Sequence, residues 1–241
     1  MRSKLRVGVV GVGYLGKFHA KIYSSLPDVE LVGVVDANRE TADKIAAEYK
    51  TTAFARPEDL LGKVDAVSVV VPTIYHLDVA RPFLENGVHM LMEKPIAPNL
   101  EEGEKLVALA EKSGVTFQVG HLERYNAGFM ELVKRVQGAR FIEATRIGGF
   151  SERATDVDVI TDLMIHDLDL VMALVKSPIR ELRATGVPVL TEHADIANVR
   201  LEFENGAVAN VTASRISIKK QRRIRVFGKN SYHALDFADQ Q

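Results

Sequence analysis

The sequence contains no cysteine, has almost no net charge and lacks any long apolar run. Without cysteine, no disulfide, thiolate nucleophile or cysteine-based zinc site can form, and a reducing compartment is compatible. The formal net charge of −1 gives no indication of nucleic acid or of an anionic membrane as a partner. The first apolar run, Leu5–Val10, is too short for a signal-peptide core and leads directly into glycines. We therefore expect a cytoplasmic protein without a membrane span.

The chain has 241 residues, 46% of them hydrophobic and 26% charged, which suits one large domain or two small ones. In its first part, strand-like and helix-like patterns alternate. This alternation is typical of an α/β fold with a doubly wound parallel sheet and helices on both faces. The predicted strands are Leu5–Val10, Leu31–Val35, Ala66–Val71, Val88–Met92 and Val115–Val119. The predicted helices are Tyr14–Leu26, Arg39–Tyr49, Leu77–Asn86 and Leu100–Ser113.

The pattern changes after Gly120, where strand-like runs dominate. Glu204-Asn205-Gly206 separates two of these runs and is a hairpin signal. We predict a Rossmann domain over residues 1–121 and an α+β domain with a mostly antiparallel sheet over residues 122–241. The predicted elements of the second domain are the helices Asn126–Gln137 and Ile160–Val175 and the strands Phe141–Ile147, Glu181–Val187, Ile196–Phe203, Ala207–Ser214 and Arg223–Phe227.

Three glycines, Gly11, Gly13 and Gly16, follow the first strand and open the first helix. In a dinucleotide-binding turn the first glycine permits the tight bend, the second lets backbone approach a pyrophosphate, and the third lets helix pack on strand. The helix N-terminus then offers N–H groups and a partial positive charge to the phosphates. A lone match also occurs in unrelated glycine turns, but the surrounding strand and helix favour a true dinucleotide site.

Asp36 ends the second strand, 20 residues after Gly16, where a carboxylate can bind the adenosine ribose hydroxyls. A carboxylate at this place repels a 2′-phosphate, so we predict NAD rather than NADP. Arg39 could pair with such a phosphate, but we favour its interpretation as a solvated residue in the first turn of a helix.

Glu93-Lys94-Pro95 follows a predicted strand. Ligands of doubly wound folds sit at the carboxyl ends of strands, so the Lys94 ammonium could point into the binding cleft. A surface turn with a solvated lysine is the alternative, and spacing alone leaves both open.

Asp162 and His166 are four residues apart and share one face of a predicted helix. A histidine beside a carboxylate can accept an alcohol proton near neutral pH. The alternative is a polar pair on a solvated face. Together with Asp169 they could suggest a metal, but zinc prefers more nitrogen or sulfur ligands, so we predict none.

Four separated motifs together resemble the oxidoreductases grouped with glucose-fructose oxidoreductase, inositol 2-dehydrogenase and the rhizopine-catabolism proteins (the Gfo/Idh/MocA family). The motifs are Gly11–Gly16, Val71–His76, Glu93-Lys94-Pro95 and the pair Asp162 and His166. The resemblance implies that Lys94 lies between nicotinamide and substrate, that the Lys94–Pro95 bond is cis, and that Pro72 and Thr73 lie along the cofactor ribose. His76 begins the next helix, as a cofactor neighbour or only as a support for the turn. The cofactor-binding residues so implied are Gly11, Gly13, Tyr14, Leu15, Gly16, Asp36, Pro72, Thr73, His76, Glu93 and Lys94.

Residues 119–126 and 162–169 look like those of bacterial members that act on nucleotide sugars, such as UDP-N-acetylglucosamine 3-dehydrogenases. In that reading Arg124, Tyr125 and Asn126 face the substrate, together with Lys94, Asp162 and His166. The alternative is a simple helix start with Asn126 as N-cap. The polar loop Ser151–Asp158, which contains Arg153, either selects substrate or is a solvated connector.

The resemblance thus implies oxidation of a secondary ring hydroxyl, with His166 as base, Asp162 orienting it and Lys94 binding the substrate oxygen. The open alternatives are a free sugar, a polyol or an imine as substrate, and a dinucleotide-binding sensor without turnover. Members of this family are usually longer, and the chain stops at Gln241, just after a strand-like stretch at Tyr232–Phe237. We expect the last strands of the second-domain sheet to be missing, and a homo-oligomer formed through that sheet.

Overall fold

The computed structural model of the chain describes residues 4–150 and 157–238. The chain divides into two units, Met1–Gly120 and His121–Gln241, each with its own sheet. Most of the predicted loop at Ser151–Asp158, with Arg153, lies outside the described residues, as does Gln241. Within the described ranges, no helix combines the length and apolar character that crossing a membrane requires.

The first unit contains a six-stranded sheet in which every pairing is parallel, with the strand order β3-β2-β1-β4-β5-β6. This order is that of a Rossmann fold and confirms the predicted fold class. Its strands are β1 (Leu5–Val10), β2 (Val29–Val35), β3 (Thr52–Phe54), β4 (Ala66–Val69), β5 (His89–Met92) and β6 (Phe117–Val119). Its helices are α1 (Gly16–Ser25), α2 (Arg39–Tyr49), α3 (His76–Glu85) and α4 (Leu100–Ser113).

The helices α2 and α4 begin and end at the predicted residues because both carry a local start signal and α4 also carries a local stop signal. Asn38 and Asn99 are their N-caps, and each side chain accepts a hydrogen bond from a backbone N–H inside the first turn. Gly114 ends α4 in the left-handed conformation, with φ of 64°. The short strand β3 was not predicted.

The second unit contains a sheet with the order β12-β11-β7-β10-β9-β8. All pairings are antiparallel except that of β10 with β7, which confirms a mostly antiparallel sheet. The predicted turn at Asn205-Gly206 connects β9 to β10, and Gly206 has a φ of 83°. The elements are α5 (Ala127–Arg135), β7 (Phe141–Ile147), α6 (Ile165–Val175), β8 (Ile179–Val187), β9 (Ile196–Phe203), β10 (Val208–Ser214), β11 (Gln221–Gly228) and β12 (Ser231–Asp236).

Two predicted helices of the second unit were too long. The helix predicted from Asn126 begins at Ala127 and ends at Arg135. The helix predicted from Ile160 is a π-helical turn over Ile160–Met164 and becomes α-helical only at Ile165. Such π turns are rare and occur frequently at functional sites.

A buried carboxylate organises the connection between β8 and β9. The side chain of Asp195 is fully buried and accepts hydrogen bonds from the backbone N–H groups of Val189, Leu190 and Thr191. Its other oxygen accepts one from Arg215 Nε at 2.8 Å. Burial opposes ionisation, but the three backbone donors and the guanidinium outweigh it, so the pKa of Asp195 lies below its usual range.

Candidate active site

The three glycines of the first turn have three different surroundings. Gly11 has a φ of +85°, and a Cβ there would lie 2.5 Å from the carbonyl oxygen of Val70. A Cβ on Gly16 would overlap the backbone of Gly11, with the carbonyl carbon 2.8 Å away. Around Gly13 a Cβ would meet no atom within 4 Å. The fold itself therefore requires Gly11 and Gly16, whereas the missing side chain of Gly13 leaves space for something outside the protein.

The side chain of Asp36 is hydrogen-bonded to the backbone of the glycine turn. Its Oδ2 accepts a hydrogen bond from the Val12 N–H at 2.8 Å, and its Oδ1 accepts one from the Asn38 N–H at 2.9 Å. Arg39 forms an exposed ion pair with Asp43, with Nη2 and Oδ1 2.8 Å apart. This pairing agrees with the interpretation of Arg39 as a solvated residue in the first turn of α2.

One cavity of about 690 Å³ opens at the carboxyl ends of β1, β2, β4 and β5. This is the place where doubly wound sheets bind their ligands. Among the implied cofactor-binding residues, those that line the cavity are Gly11, Gly13, Tyr14, Leu15, Asp36, Pro72, Glu93 and Lys94. Gly16 and Thr73 are not in its lining.

His76 has a different position from the other implied cofactor residues. Its side chain is 1% exposed, and it does not line the cavity. Its Nδ1 lies 3.1 Å from the carbonyl oxygen of Ile96, and its Nε2 lies 3.0 Å from that of Val71. With both ring nitrogens facing backbone carbonyls, His76 braces the turn that leads into α3, and the structure gives it no surface for the cofactor.

Lys94 lies directly beyond β5 and lines the cavity, and the Lys94–Pro95 peptide bond is cis, as the resemblance implied. The preceding residue, Glu93, is buried, and its Oε2 accepts a hydrogen bond from the Lys94 N–H at 3.3 Å. The carboxylate rests against Gly120, where a Cβ would lie 3.2 Å from Oε1. The main chain at Lys94 is thus fixed by a buried carboxylate behind it.

The network of hydrogen-bonded polar side chains that contacts Glu93 was not predicted from the sequence. His19 Nε2 lies 3.2 Å from Glu93 Oε1, and His19 Nδ1 lies 3.2 Å from Ser68 Oγ. The Tyr23 hydroxyl is 2.7 Å from the same Ser68 oxygen. Burial raises the pKa of Tyr23 more than the Ser68 hydrogen bond lowers it. Burial opposes ionisation of Glu93, yet His19 and the groups of Lys94 outweigh it, so the pKa of Glu93 lies below its ordinary value.

In the second unit, Asp162 lies within the π-helical turn and His166 in the first turn of α6. Asp158 caps the start of this segment, because its Oδ1 accepts hydrogen bonds from the N–H groups of Ile160 and Thr161 at 2.9 and 2.8 Å. His166 lines a cavity of about 440 Å³, and Asp162 is not in its lining. The histidine is therefore the member of the pair that faces open space within this unit.

Tyr125 and Asn126 line the same cavity as His166. Asn126 is also the N-cap of α5, since its Oδ1 accepts hydrogen bonds from Gly128 and Phe129. Asn126 thus agrees with both interpretations from the sequence, because it lines a cavity and also caps a helix. Arg124 is outside the lining and forms a bidentate pair with Asp169, with N–O distances of 2.7 and 2.6 Å.

An ion cluster in the wall of this cavity, to which Glu123 and Arg146 contribute, was not predicted from the sequence. Arg146 is buried, and two of its nitrogens donate to Asp167 at 2.8 and 3.0 Å. A third nitrogen donates to Glu123 at 2.9 Å. A signal was present, because Arg146 continues the inward-facing alternation of Ile142 and Ala144 in β7.

Two family matches cover most of the chain. Residues 5–121 match a family described as an oxidoreductase family with an NAD-binding Rossmann fold. Residues 135–232 match the GFO/IDH/MocA C-terminal domain. The first match confirms NAD as the predicted cofactor.

Individual relatives agree with these matches. The chain is 42% identical over 234 residues to UDP-N-acetylglucosamine 3-dehydrogenase of Acidithiobacillus ferrooxidans, covering 97% of this chain and 74% of that protein. It is 29% identical over 236 residues to scyllo-inositol 2-dehydrogenase (NAD(+)) of Bacillus subtilis, covering 90% and 69%. The solved structure of UDP-N-acetylglucosamine 3-dehydrogenase GnnA from A. ferrooxidans matches with a TM-score of 0.94 at 40% identity, covering 99% of this chain and 78% of that chain. This chain therefore belongs to the GFO/IDH/MocA family of oxidoreductases.

Proposed function

We propose that this protein is an NAD-dependent dehydrogenase that oxidises a secondary ring hydroxyl of a nucleotide sugar, with the 3-hydroxyl of UDP-N-acetylglucosamine as the first candidate. The observation that carries the proposal is the 42% identity to a UDP-N-acetylglucosamine 3-dehydrogenase across 97% of the chain. That span includes both the cavity at Lys94 and the cavity at His166.

The residues of the first cavity fit NAD. The space in front of Gly13 suits the close approach of a pyrophosphate to the backbone, and α1 begins beside it. Asp36 stands at the end of β2, where its carboxylate can accept hydrogen bonds from the adenosine ribose. Pro72 and Lys94 also line this cavity, each just beyond the carboxyl end of a further strand. The pairing of Arg39 with Asp43 supports NAD rather than NADP.

Oxidation removes a proton from the hydroxyl and a hydride from the carbon that bears it, and bound NAD supplies the hydride acceptor. We propose that His166, which lines the cavity of its unit, is the base that accepts the hydroxyl proton. Asp162 orients His166 for this role. Lys94 donates a hydrogen bond to the substrate oxygen and stabilises the negative charge that develops there. Glu93 and His19 hold the main chain from which Lys94 projects.

A free polyol is the second candidate substrate, because scyllo-inositol 2-dehydrogenase of B. subtilis is also a relative. A sensor without turnover would need the glycine turn and Asp36 but not Lys94, Asp162 and His166. The presence of all three favours the enzyme. We further propose that residues 1–121 bind the cofactor, that residues 122–241 bind substrate and form a homo-oligomer through the exposed sheet face, and that the protein works in the cytoplasm.

A thermal-shift screen with NAD, NADP, UDP-N-acetylglucosamine, UDP-glucose and scyllo-inositol tests the proposal. A ligand at a hundred times its Kd stabilises the native state by about 2.7 kcal/mol, which in a chain of this size corresponds to roughly 5–10 °C. We expect a larger shift with NAD than with NADP, and a further shift when UDP-N-acetylglucosamine is added to the NAD complex. A shift with scyllo-inositol and none with either nucleotide sugar would contradict the nucleotide-sugar assignment and support the polyol.

A further inference from the structure

The cavity that contains His166 also contains an arginine that the mechanism does not use. Arg222 lines it, together with Tyr125 and the buried Arg146. Arg222 is the second residue of β11 and is partly buried. All of these residues belong to the second unit.

Strand register places the two arginines side by side. In the antiparallel pairing of β11 with β7, Arg222 is opposite Arg146, as Ile224 is opposite Ala144. Alternate residues of a strand face the same side of the sheet, so Arg222 shares the inward face with the buried Ile224. Arg223, the next residue, faces the opposite side. Like charges directly opposite each other in neighbouring strands are unfavourable unless other charges compensate them.

The two guanidinium groups are compensated unequally. Arg146 takes up both carboxylate oxygens of Asp167, and Glu123 binds its remaining side. The side chain of Arg222 makes no hydrogen bond or ion pair with any residue that the structure describes. Asp167 also attracts Arg222, but over a distance longer than that of an ion pair, so the N–H donors of the Arg222 guanidinium stay available to an anion from solution.

We propose that Arg222 is the site that binds the diphosphate of the substrate. A guanidinium presents a planar fork of N–H donors that matches two oxygens of a phosphate. In a nucleotide sugar the diphosphate is attached at C1, and a single ring carbon separates C1 from C3. An enzyme that removes a proton at the C3 hydroxyl must therefore hold the diphosphate near its base, and Arg222 shares one cavity with His166. The inference rests on the proposed function and adds the group that distinguishes a nucleotide sugar from a free sugar.

The test compares variants of the NAD-loaded full chain by calorimetric titration with UDP and with uridine. Arg222→Gln removes the charge and should weaken UDP binding by about ten- to a hundredfold, while uridine binding stays within about twofold of wild type. Arg222→Lys keeps a point charge without the fork, and its UDP affinity should lie between the two. The matched control, Arg223→Gln, removes the same charge from the other face of the same strand and should leave UDP binding unchanged. The Arg222→Lys variant and the uridine titrations also show whether each protein is folded.

The outcomes separate this inference from the proposed function. If wild type binds UDP through Arg222 but oxidises no nucleotide sugar, the anion site stands and the function fails. If wild type oxidises UDP-N-acetylglucosamine while Arg222→Gln binds UDP as tightly as wild type, the function stands and the anion site is refuted. Equal loss of UDP affinity in Arg222→Gln and Arg223→Gln would also refute it, because the effect would then be one of overall charge.

Discussion

Adding one methyl group should weaken cofactor binding at Gly13 but lower the stability of the fold at Gly16. A Cβ on Gly13 meets no atom within 4 Å, and Gly13 lines the cavity that we propose binds the cofactor. A Cβ on Gly16 overlaps the carbonyl group of Gly11, which is backbone and cannot rotate away. Gly13→Ala should therefore impair cofactor binding in a stable protein, whereas Gly16→Ala should impair the fold.

The magnitudes follow from these surroundings. Gly13→Ala costs the unliganded fold nothing sterically and can stabilise it by about 0.4–1 kcal/mol, because alanine restricts the unfolded chain. The methyl group keeps the pyrophosphate away from the backbone, and each lost hydrogen bond to a charged group is worth about 1.5–3 kcal/mol. NAD affinity should fall by about ten- to a hundredfold. Overpacking at Gly16 costs about 1–3 kcal/mol, which lowers Tm by roughly 2–10 °C.

Two measurements decide this prediction: the Tm of each variant without ligand, and the Kd for NAD by calorimetry. Wild-type NAD affinity in Gly13→Ala would refute the placement of the pyrophosphate. An unchanged Tm in Gly16→Ala would refute the close contact between the start of α1 and the turn after β1.

Three further predictions concern single carboxylates. Asp36→Asn should raise the affinity for NADP relative to NAD, because it removes the charge that repels a 2′-phosphate; KM values for both cofactors, measured side by side, check this, and an unchanged ratio would contradict it. His19→Leu leaves the buried Glu93 without its main partner, so the pKa of Glu93 should rise and the acidic limb of the kcat profile should move to higher pH; an unmoved limb would show that Glu93 does not influence turnover. The pKa of Asp195 is lowered in the folded state, so its contribution to stability is present above about pH 4 and is lost as pH falls further. Asp195→Asn should flatten the acidic decline of Tm, and an unchanged decline would contradict the lowered pKa of Asp195.

Much of the fold could be predicted from the sequence because its signals are local. The helices α2 and α4 have asparagine caps, and the run Ala66–Val69 reads as a buried strand. The strand β3 is only three residues long and is defined by its pairing with β2, which no local pattern shows. The π-helical turn before α6 has the same apolar spacing as an α-helix, so its bounds could not be predicted.

The candidate site was predictable where a residue type has a fixed place in a motif. Gly11, Gly13, Asp36 and Lys94 belong to this group, and all four line one cavity. Contacts between residues distant in sequence were not predictable, such as His19 with Glu93 and Arg222 beside Arg146. These contacts depend on which strands become neighbours, and a single sequence does not state this.

The most direct test of the central claim follows the hydrogen atom that is transferred. UDP-N-acetylglucosamine carrying deuterium at C3 is incubated with the protein and NAD, and the reduced cofactor is analysed by mass spectrometry. We expect deuterium in the reduced cofactor, with turnover lowered by orders of magnitude in Lys94→Ala and His166→Ala. Unlabelled reduced cofactor, or near-wild-type turnover in both variants, would contradict the account.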